Sequence, residues 1–418
     1  MRMKFSRSSQ LVLVAAASLV AASLITACET LTVDFVFVAS TRAAGANNYG
    51  EIDVFEINSE SGRMRQIPTS PFPSEGRNPV AEAVSADDQN LFVVNHDDNT
   101  IVQFIIGNDG KLYPYNTVNT PGIFPLAIAT SKSNVFVVDT YQPLPLCSPA
   151  DPCSGSIAVY PLTAATSSTP IGLGTAATNP AVNAQYWPLT LTGANASHVI
   201  VPTAVNVSAS GAYVYVTAYD SSVTPSAGYV FGFSVGSGGA LTAVPGSPFA
   251  AVIQPSSIAS DAKSAFVYVT DSVRGNVLGY SVSATTGTAG ALTALSGSPY
   301  PAGNDPTGVV VDPSYAYAYV SNSTDATVTA YSMSSTGVLT RINSYATGLQ
   351  PVAIGIDPST NHFLFTVNFL DNTVSDFELS TTAGTLLDAQ FSPFPTNAQP
   401  VAAAAIPHNG TGGGVGSH

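Results

Sequence analysis

Seven copies of one strand pattern constrain this chain more than any other feature of it. A short β-rich block opening on an aromatic recurs as Phe37-Val-Ala-Ser, Phe92-Val-Val-Asn, Phe136-Val-Val-Asp, Tyr215-Val-Thr-Ala, Tyr268-Val-Thr-Asp, Tyr319-Val-Ser-Asn and Phe365-Thr-Val-Asn. Each block is followed by a second alternating strand that ends in an aromatic, at Phe55, Phe104, Tyr160, Phe233, Tyr280, Tyr331 and Phe377. A third series is a proline leading a run of small and branched residues, at Pro79, Pro125, Pro202, Pro255, Pro306, Pro351 and Pro400. Between the second and third series a Gly-x-Leu or Gly-x-Met turn (Gly62, Gly110, Gly239, Gly290, Gly337, Gly384) starts a fourth strand, often closed by Ser-Pro-Phe/Tyr at Ser70, Ser247, Ser298 and Ser392.

A four-stranded unit repeated seven times predicts an all-β fold, a seven-bladed β-propeller of antiparallel blades. The proline-led strand is expected innermost, because its small side chains suit the crowding around a central axis. The first block, at Phe37, has no proline-led strand before it, and Pro400–Ile406 has no block after it. The C-terminal strand is therefore expected to complete the first blade, a closure that removes exposed sheet edges. Composition agrees: 9% of residues are charged and 45% hydrophobic, with abundant Gly and Pro, which suits short strands and tight turns and leaves little room for long helices.

The N-terminus reads as an address. Arg2, Lys4 and Arg7 precede an apolar run from Leu11 to Ile25, and no acid occurs before Glu29, the layout of a secretory leader over residues 1–27. The run ends in Ile25-Thr26-Ala27-Cys28, which resembles a bacterial lipobox, so Cys28 is the expected lipidated N-terminus of a periplasmic or outer-membrane lipoprotein. The propeller is expected over 28–408, and the Gly-rich 409–418 as a disordered tail. Without residues 1–27 the chain holds nine basic and 26 acidic residues, a formal charge of −17 that argues against nucleic acid and anionic headgroups as partners. Cys147 and Cys153 fall in Cys-Ser-Pro-Ala-Asp-Pro-Cys, and an oxidising compartment makes a local disulfide the expected reading.

The third unit departs from the pattern, with an enlarged first hairpin near 141–155 and a long polar stretch over 163–198 holding the sole tryptophan, Trp187, expected to pack over the rim. In a propeller, the loops leading into the inner strands share a face with the first hairpins. The residues before the prolines include Asn78, Gln254, Asp305, Gln350 and Gln399, candidate ligand-binding groups around the channel mouth, with Arg274 on a hairpin beside them. Asn, Asp and Gln there also serve local backbone bonding. Glu82 occupies a position that the other units fill with Ile128, Val205, Ile258, Val309, Ile354 and Ala403. A carboxyl so placed is either buried with a raised pKa or a partner, or exposed by a local bulge. Glu82, His96 and Asp271 are the catalytic candidates for activating water. The five histidines are scattered without ligand spacing, so neither a metal nor a cofactor is expected, and no Gly-x-Ser-x-Gly or His-Glu-x-x-His motif is present.

The repeats Pro-x-x-hydrophobic, Tyr-Val-x-Asn, Asp-Asn-Thr-Val (Asp98-Asn99-Thr100-Ile101 and Asp371-Asn372-Thr373-Val374) and Gly-x-Leu resemble the lactonase-type seven-bladed propellers, which include 6-phosphogluconolactonase-like and cycloisomerase-like proteins, over about residues 33–408. The resemblance implies a His just after an inner-strand Pro, an Arg-His pair before a strand and a Glu after Tyr-Val-x-Asn. This chain has Thr203 and Ser256 after the prolines, and Ala218, Asp271 and Asn322 at the block ends, without the following Glu. With that set unmatched, the expectation is a monomeric, lipid-anchored, non-catalytic binding or scaffold protein for a small molecule, glycan or envelope protein; the alternative is a divergent lactone hydrolase acting on a sugar lactone.

Overall fold

The computed structural model describes residues 32–58, 60–164, 170–313, 316–358 and 362–407. The leader read over 1–27, Cys28, His408 and the tail 409–418 lie outside them. Seven antiparallel sheets follow one another in the order of the repeats. Each inner strand touches the inner strands of the two neighbouring blades, and the last returns to the first, closing a ring. The inner strands of blades 2 to 7 are Pro79–Val84, Ile123–Thr130, Ile200–Val207, Pro255–Ser260, Pro306–Val311 and Pro351–Ile356. Blade 1 takes its inner strand from the C-terminus: Pro400–Pro407 pairs with Thr32–Ala44 in the register Phe37 to Ala404 and Val38 to Ala403. The closure expected from the sequence is the one that forms.

The hydrophobic core is divided among the seams between blades. One cluster unites Phe92, Val94 and Ile101 of blade 2 with Val135, Val137 and Tyr160 of blade 3. Comparable clusters fill the other seams. The Gly-x-Leu turns serve the same seams. Gly337 has φ +79°, and a Cβ there would lie 2.4 Å from the Phe266 ring of the preceding blade; Gly384 stands likewise against Tyr317. Only glycine combines this left-handed backbone with so close an aromatic.

The Ser-Pro-aromatic motif has an equally local cause. In five blades the outer strand is broken into two short pieces that pair with the same third strand. In four of them a serine hydroxyl accepts a third-strand N–H: Val54 donates to Ser70 at 2.8 Å, Gly232 to Ser247 at 3.0 Å, Gly279 to Ser298 at 2.9 Å and Asp376 to Ser392 at 2.9 Å. Each hydroxyl thus satisfies a backbone donor beside the break. In blade 3 the outer pieces are Gly172–Leu173 and Trp187–Pro188. Trp187 is buried and its Nε1–H donates to the Leu241 carbonyl of blade 4 at 3.1 Å, so it packs across the rim as expected. Cys147 and Cys153 form a disulfide in the enlarged hairpin.

Candidate active site

The inner strands all start on one side of the ring, called here the proline-led face. Each lead-in residue is tied to the end of the next strand. The carbonyl of Asn78 accepts the N–H of His96 at 2.9 Å, that of Asp305 the N–H of Ser323 at 2.8 Å, and that of Gln350 the N–H of Phe369 at 2.9 Å; Gln399 pairs with Thr41 and Gln254 with Ser272, both at 3.1 Å. Asn78, Phe124, Asp305, Gln350 and Gln399 have left-handed backbones, with φ between 49° and 58°. Asn and Asp tolerate that conformation best, which accounts for Asn78 and Asp305, while Phe124, Gln350 and Gln399 adopt it without that preference. Gln254 shares the bond without the left-handed turn.

Asp271 is fully buried and accepts the N–H groups of Ile253 and Gln254, each at 3.3 Å, and of Val273 at 3.2 Å. Its carboxylate caps two loops. Asn322 does the same for Gly303 at 2.9 Å. Arg274 is exposed at the tip of the hairpin beyond Asp271.

Glu82 lies elsewhere again. It lines the central channel, a cavity of about 260 Å³ walled by the inner strands, and is only 9% exposed at the seam between blades 1 and 2. Desolvation pushes its carboxyl up to about 8; the backbone N–H groups of Ala39 and Ala404 moderate the rise, but neither completes a hydrogen bond. A register shift between Pro79 and Ala81 does precede it, as equivalent shifts do in the other inner strands, yet the carboxyl stays buried. The exposing bulge anticipated as one alternative is therefore corrected to a bulge that leaves Glu82 inside. Glu82, His96 and Asp271 stand in three separate settings and do not form one catalytic set.

His96 has the most developed chemical surroundings. Its Nδ1 lies 2.7 Å from an Asp97 carboxylate oxygen, which also accepts from Asn78 Nδ2 at 3.1 Å. The ring stacks on Phe124 with centroids 4.6 Å apart and planes 6° from parallel, and Tyr141 meets Phe124 edge-on at 6.1 Å. Phe124 is itself held by its N–H donating to Asn99 Oδ1 at 2.6 Å. Beside them Arg77 Nε donates to Asp98 at 2.7 Å. Partial burial acts to raise the Asp97 carboxyl, but the hydrogen bonds from His96 and Asn78 and the charges of His96 and Arg77 outweigh it and hold the group below its ordinary range. An aspartate at Nδ1 selects the tautomer that leaves Nε2 as a base, and the His96 side chain keeps 30% of its surface open to solvent.

A second pair was not legible in the sequence. On blade 4, at the same face, His198 Nδ1 lies 2.6 Å from Asp220 Oδ2. The two are 22 residues apart, and only the pairing of Ile200 with Asp220 across the inner hairpin brings them together. The His198 carbonyl accepts from Ser154 Oγ at 3.1 Å, which ties the end of the disulfide hairpin to this pair. The two dyads flank blade 3 on either side. A larger groove, about 410 Å³, opens in the seam between blades 2 and 3 and is lined by Val118, Thr120, Tyr160, Leu173 and Gln185 among others.

Solved structures share the architecture. A candidate 6-phosphogluconolactonase from Bacteroides fragilis matches 90% of this chain and 99% of its own, with a TM-score of 0.68 at 19% identity. The periplasmic gluconolactonase of Pseudomonas aeruginosa matches over 90% and 99%, at 0.67 and 16%. A protein from Lactobacillus plantarum does so over 90% and 100%, at 0.65 and 17%. At such identities the likeness establishes the fold alone. No curated protein matches the chain. The family model described as lactonase, 7-bladed beta-propeller, matches residues 46–167 and 227–398; the gap between the two matches covers the outer excursion of blade 3 and the first two strands of blade 4.

Proposed function

The chain belongs to the seven-bladed β-propeller lactonase family, and from that premise we propose that it opens the ring ester of a sugar lactone on its proline-led face, with His96 as general base. The observation that carries the reading is the His96–Asp97 dyad stacked on Phe124. In the step it supports, His96 Nε2 takes a proton from water as the oxygen attacks the lactone carbonyl. The ring C–O bond then breaks, and the departing alkoxide takes the proton back from the imidazolium that Asp97 stabilises. Arg77, already oriented by Asp98, is the nearby cation available to the developing oxyanion.

Export and lipid anchoring at Cys28 belong to the same proposal and rest on the basic, apolar and lipobox pattern of residues 2–28. The non-catalytic binding or scaffold role keeps one observation in its favour, the separation of Glu82, His96 and Asp271. The test is lactone hydrolysis by the folded chain followed with a pH indicator. His96→Ala is expected to lower kcat/KM about a hundredfold, in line with the loss of one general base. Lactone turnover that is absent, or untouched by His96→Ala, favours the scaffold role.

A further inference from the structure

The two faces of the ring differ in charge and in their relation to the N-terminus. Thr32–Ala44 runs antiparallel to the inner strand Pro400–Pro407, so Thr32 lies on the face opposite the prolines and opposite His96. Cys28 precedes Thr32 by four residues, a tether that spans at most about 14 Å when fully extended. The inner strands are six to eight residues long, so the proline-led face stands roughly 20 Å or more above the opposite one. The tether is too short for a lipid on Cys28 to bring the proline-led face down to a bilayer.

Charge is divided in the same sense. After Lys4, the chain has three lysines, Lys111, Lys132 and Lys263, and all three sit in turns on the Thr32 face. They share it with Arg63 and with Asp34, Glu60, Asp87, Asp88, Asp109, Asp261, Asp312 and Asp357, and Lys111 is paired with Asp109. Asp34, Asp261, Asp312 and Asp357 are buried, and the exposed groups of that face are of both signs. The proline-led face has Arg42, Arg77 and Arg274 but no lysine, and its acids include Glu75, Asp98, Asp151, Asp305, Asp325 and Asp371. The asymmetry between the faces lies in the lysines, all of which after Lys4 are on the tether side. A lysine near an anionic leaflet contributes about 1 kcal/mol of attraction, whereas the acidic face is repelled.

We propose that a lipid on Cys28 seats the Thr32 face on a phospholipid bilayer, with Lys132 toward the headgroups, and holds the proline-led face outward into the aqueous compartment. This rests on the lipid anchor proposed at Cys28 and not on the lactonase chemistry. The test uses the full chain matured to the acylated form and reconstituted in vesicles of phosphatidylethanolamine and phosphatidylglycerol at three to one, with a doxyl-labelled lipid as quencher. One variant carries bimane at Lys132→Cys, the other at Asp325→Cys. Cys147 and Cys153 are disulfide-bonded and Cys28 acylated, so only the new thiol reacts. Both sites are exposed, and unchanged thermal melts verify folding. The expected result is at least twofold stronger quenching at position 132 than at 325. Equal quenching, the reverse order, or vesicle association that survives Cys28→Ser unchanged overturns the proposal.

Discussion

The Tyr268 hydroxyl of blade 5 donates to the Gly337 carbonyl of blade 6 at 2.7 Å, joining the aromatic of one repeat to the turn glycine of the next. Tyr215 bonds Gly290 and Tyr319 bonds Gly384 in the same way. Blades 1, 2, 3 and 7 carry phenylalanine at this position and seal their seams by packing alone. Tyr268→Phe should therefore keep the ring in place and cost about 1–2 kcal/mol, because the Gly337 carbonyl loses a buried donor. Gly337→Ala should cost more, about 2–4 kcal/mol, from the left-handed backbone and the Phe266 ring 2.4 Å away. Urea midpoints rank the two, and a Gly337→Ala variant as stable as Tyr268→Phe would contradict the packing argument.

Glu82 makes stability depend on pH. Its ordinary value of 4.5 describes the unfolded chain, and burial raises it to about 8 in the fold. Between these values the unfolded chain has released the proton and the folded one still binds it. The contribution present below about pH 4.5 is therefore lost progressively as pH rises to about 8, and is level beyond. Asp139, raised by burial to about 7, and Asp53, raised to about 6, act with the same sign over lower windows. Glu82→Ile, which copies the side chain of blades 3, 5 and 7, should stabilise the protein by about 2–4 kcal/mol at pH 8, and by less at pH 5. Chemical denaturation at the two pH values measures this, and a variant less stable at pH 8 would show that the carboxylate has a use there.

Closure can be tested by removing it. A chain ending at Gln399 lacks the strand that pairs with Asp34–Ser40, and exposes Val36, Phe37 and Val38 along an unpaired edge. It should aggregate or elute as oligomers in size-exclusion chromatography. A soluble monomer with an unchanged melting temperature would mean that blade 1 needs no C-terminal strand.

The acidic proline-led face bears on substrate charge. Arg77 is the nearby cation but is shared with Asp98, and the lysines after Lys4 all lie on the other face, so little positive charge is left over for a phosphate. If the chain is a lactonase, kcat/KM for glucono-δ-lactone should exceed that for its 6-phospho form by at least about tenfold, a bias of about 1.4 kcal/mol. A preference for the phosphorylated lactone would show that Arg77 leaves Asp98 to bind the phosphate.

Asp97→Asn should separate positioning from packing. The amide keeps the size of the carboxylate but cannot stabilise an imidazolium, so kcat should fall while KM changes little. Stability should move by less than about 1 kcal/mol, since the pair is partly exposed. Loss of KM with kcat intact would assign Asp97 to binding instead.

Repeat number, strand order, inner strand and ring closure were all legible in the residues, because each rests on periodic, short-range requirements. Small side chains mark the inner strand, a glycine marks a left-handed turn, and an aromatic marks a seam. The Cys147–Cys153 pair and the packing of Trp187 followed from local spacing and size. The site was less legible. Asn78, Asp305, Gln350 and Gln399 read as candidate ligand groups from their side chains, and what the structure adds is the bond that each backbone carbonyl makes to a strand end. Asp271 read as a catalytic acid and caps two loops. The His198–Asp220 pair went unread, since nothing in a spacing of 22 residues encodes a contact.

By itself, then, the order of residues determined a seven-unit ring, because strand periodicity and turn chemistry act over a few neighbours. Only the tertiary structure decided which polar groups are consumed by the backbone, which carboxyl is stranded in the channel, and which face lies opposite Thr32. Those outcomes depend on distances and desolvation between blades far apart along the chain, and each exists only once the ring has closed.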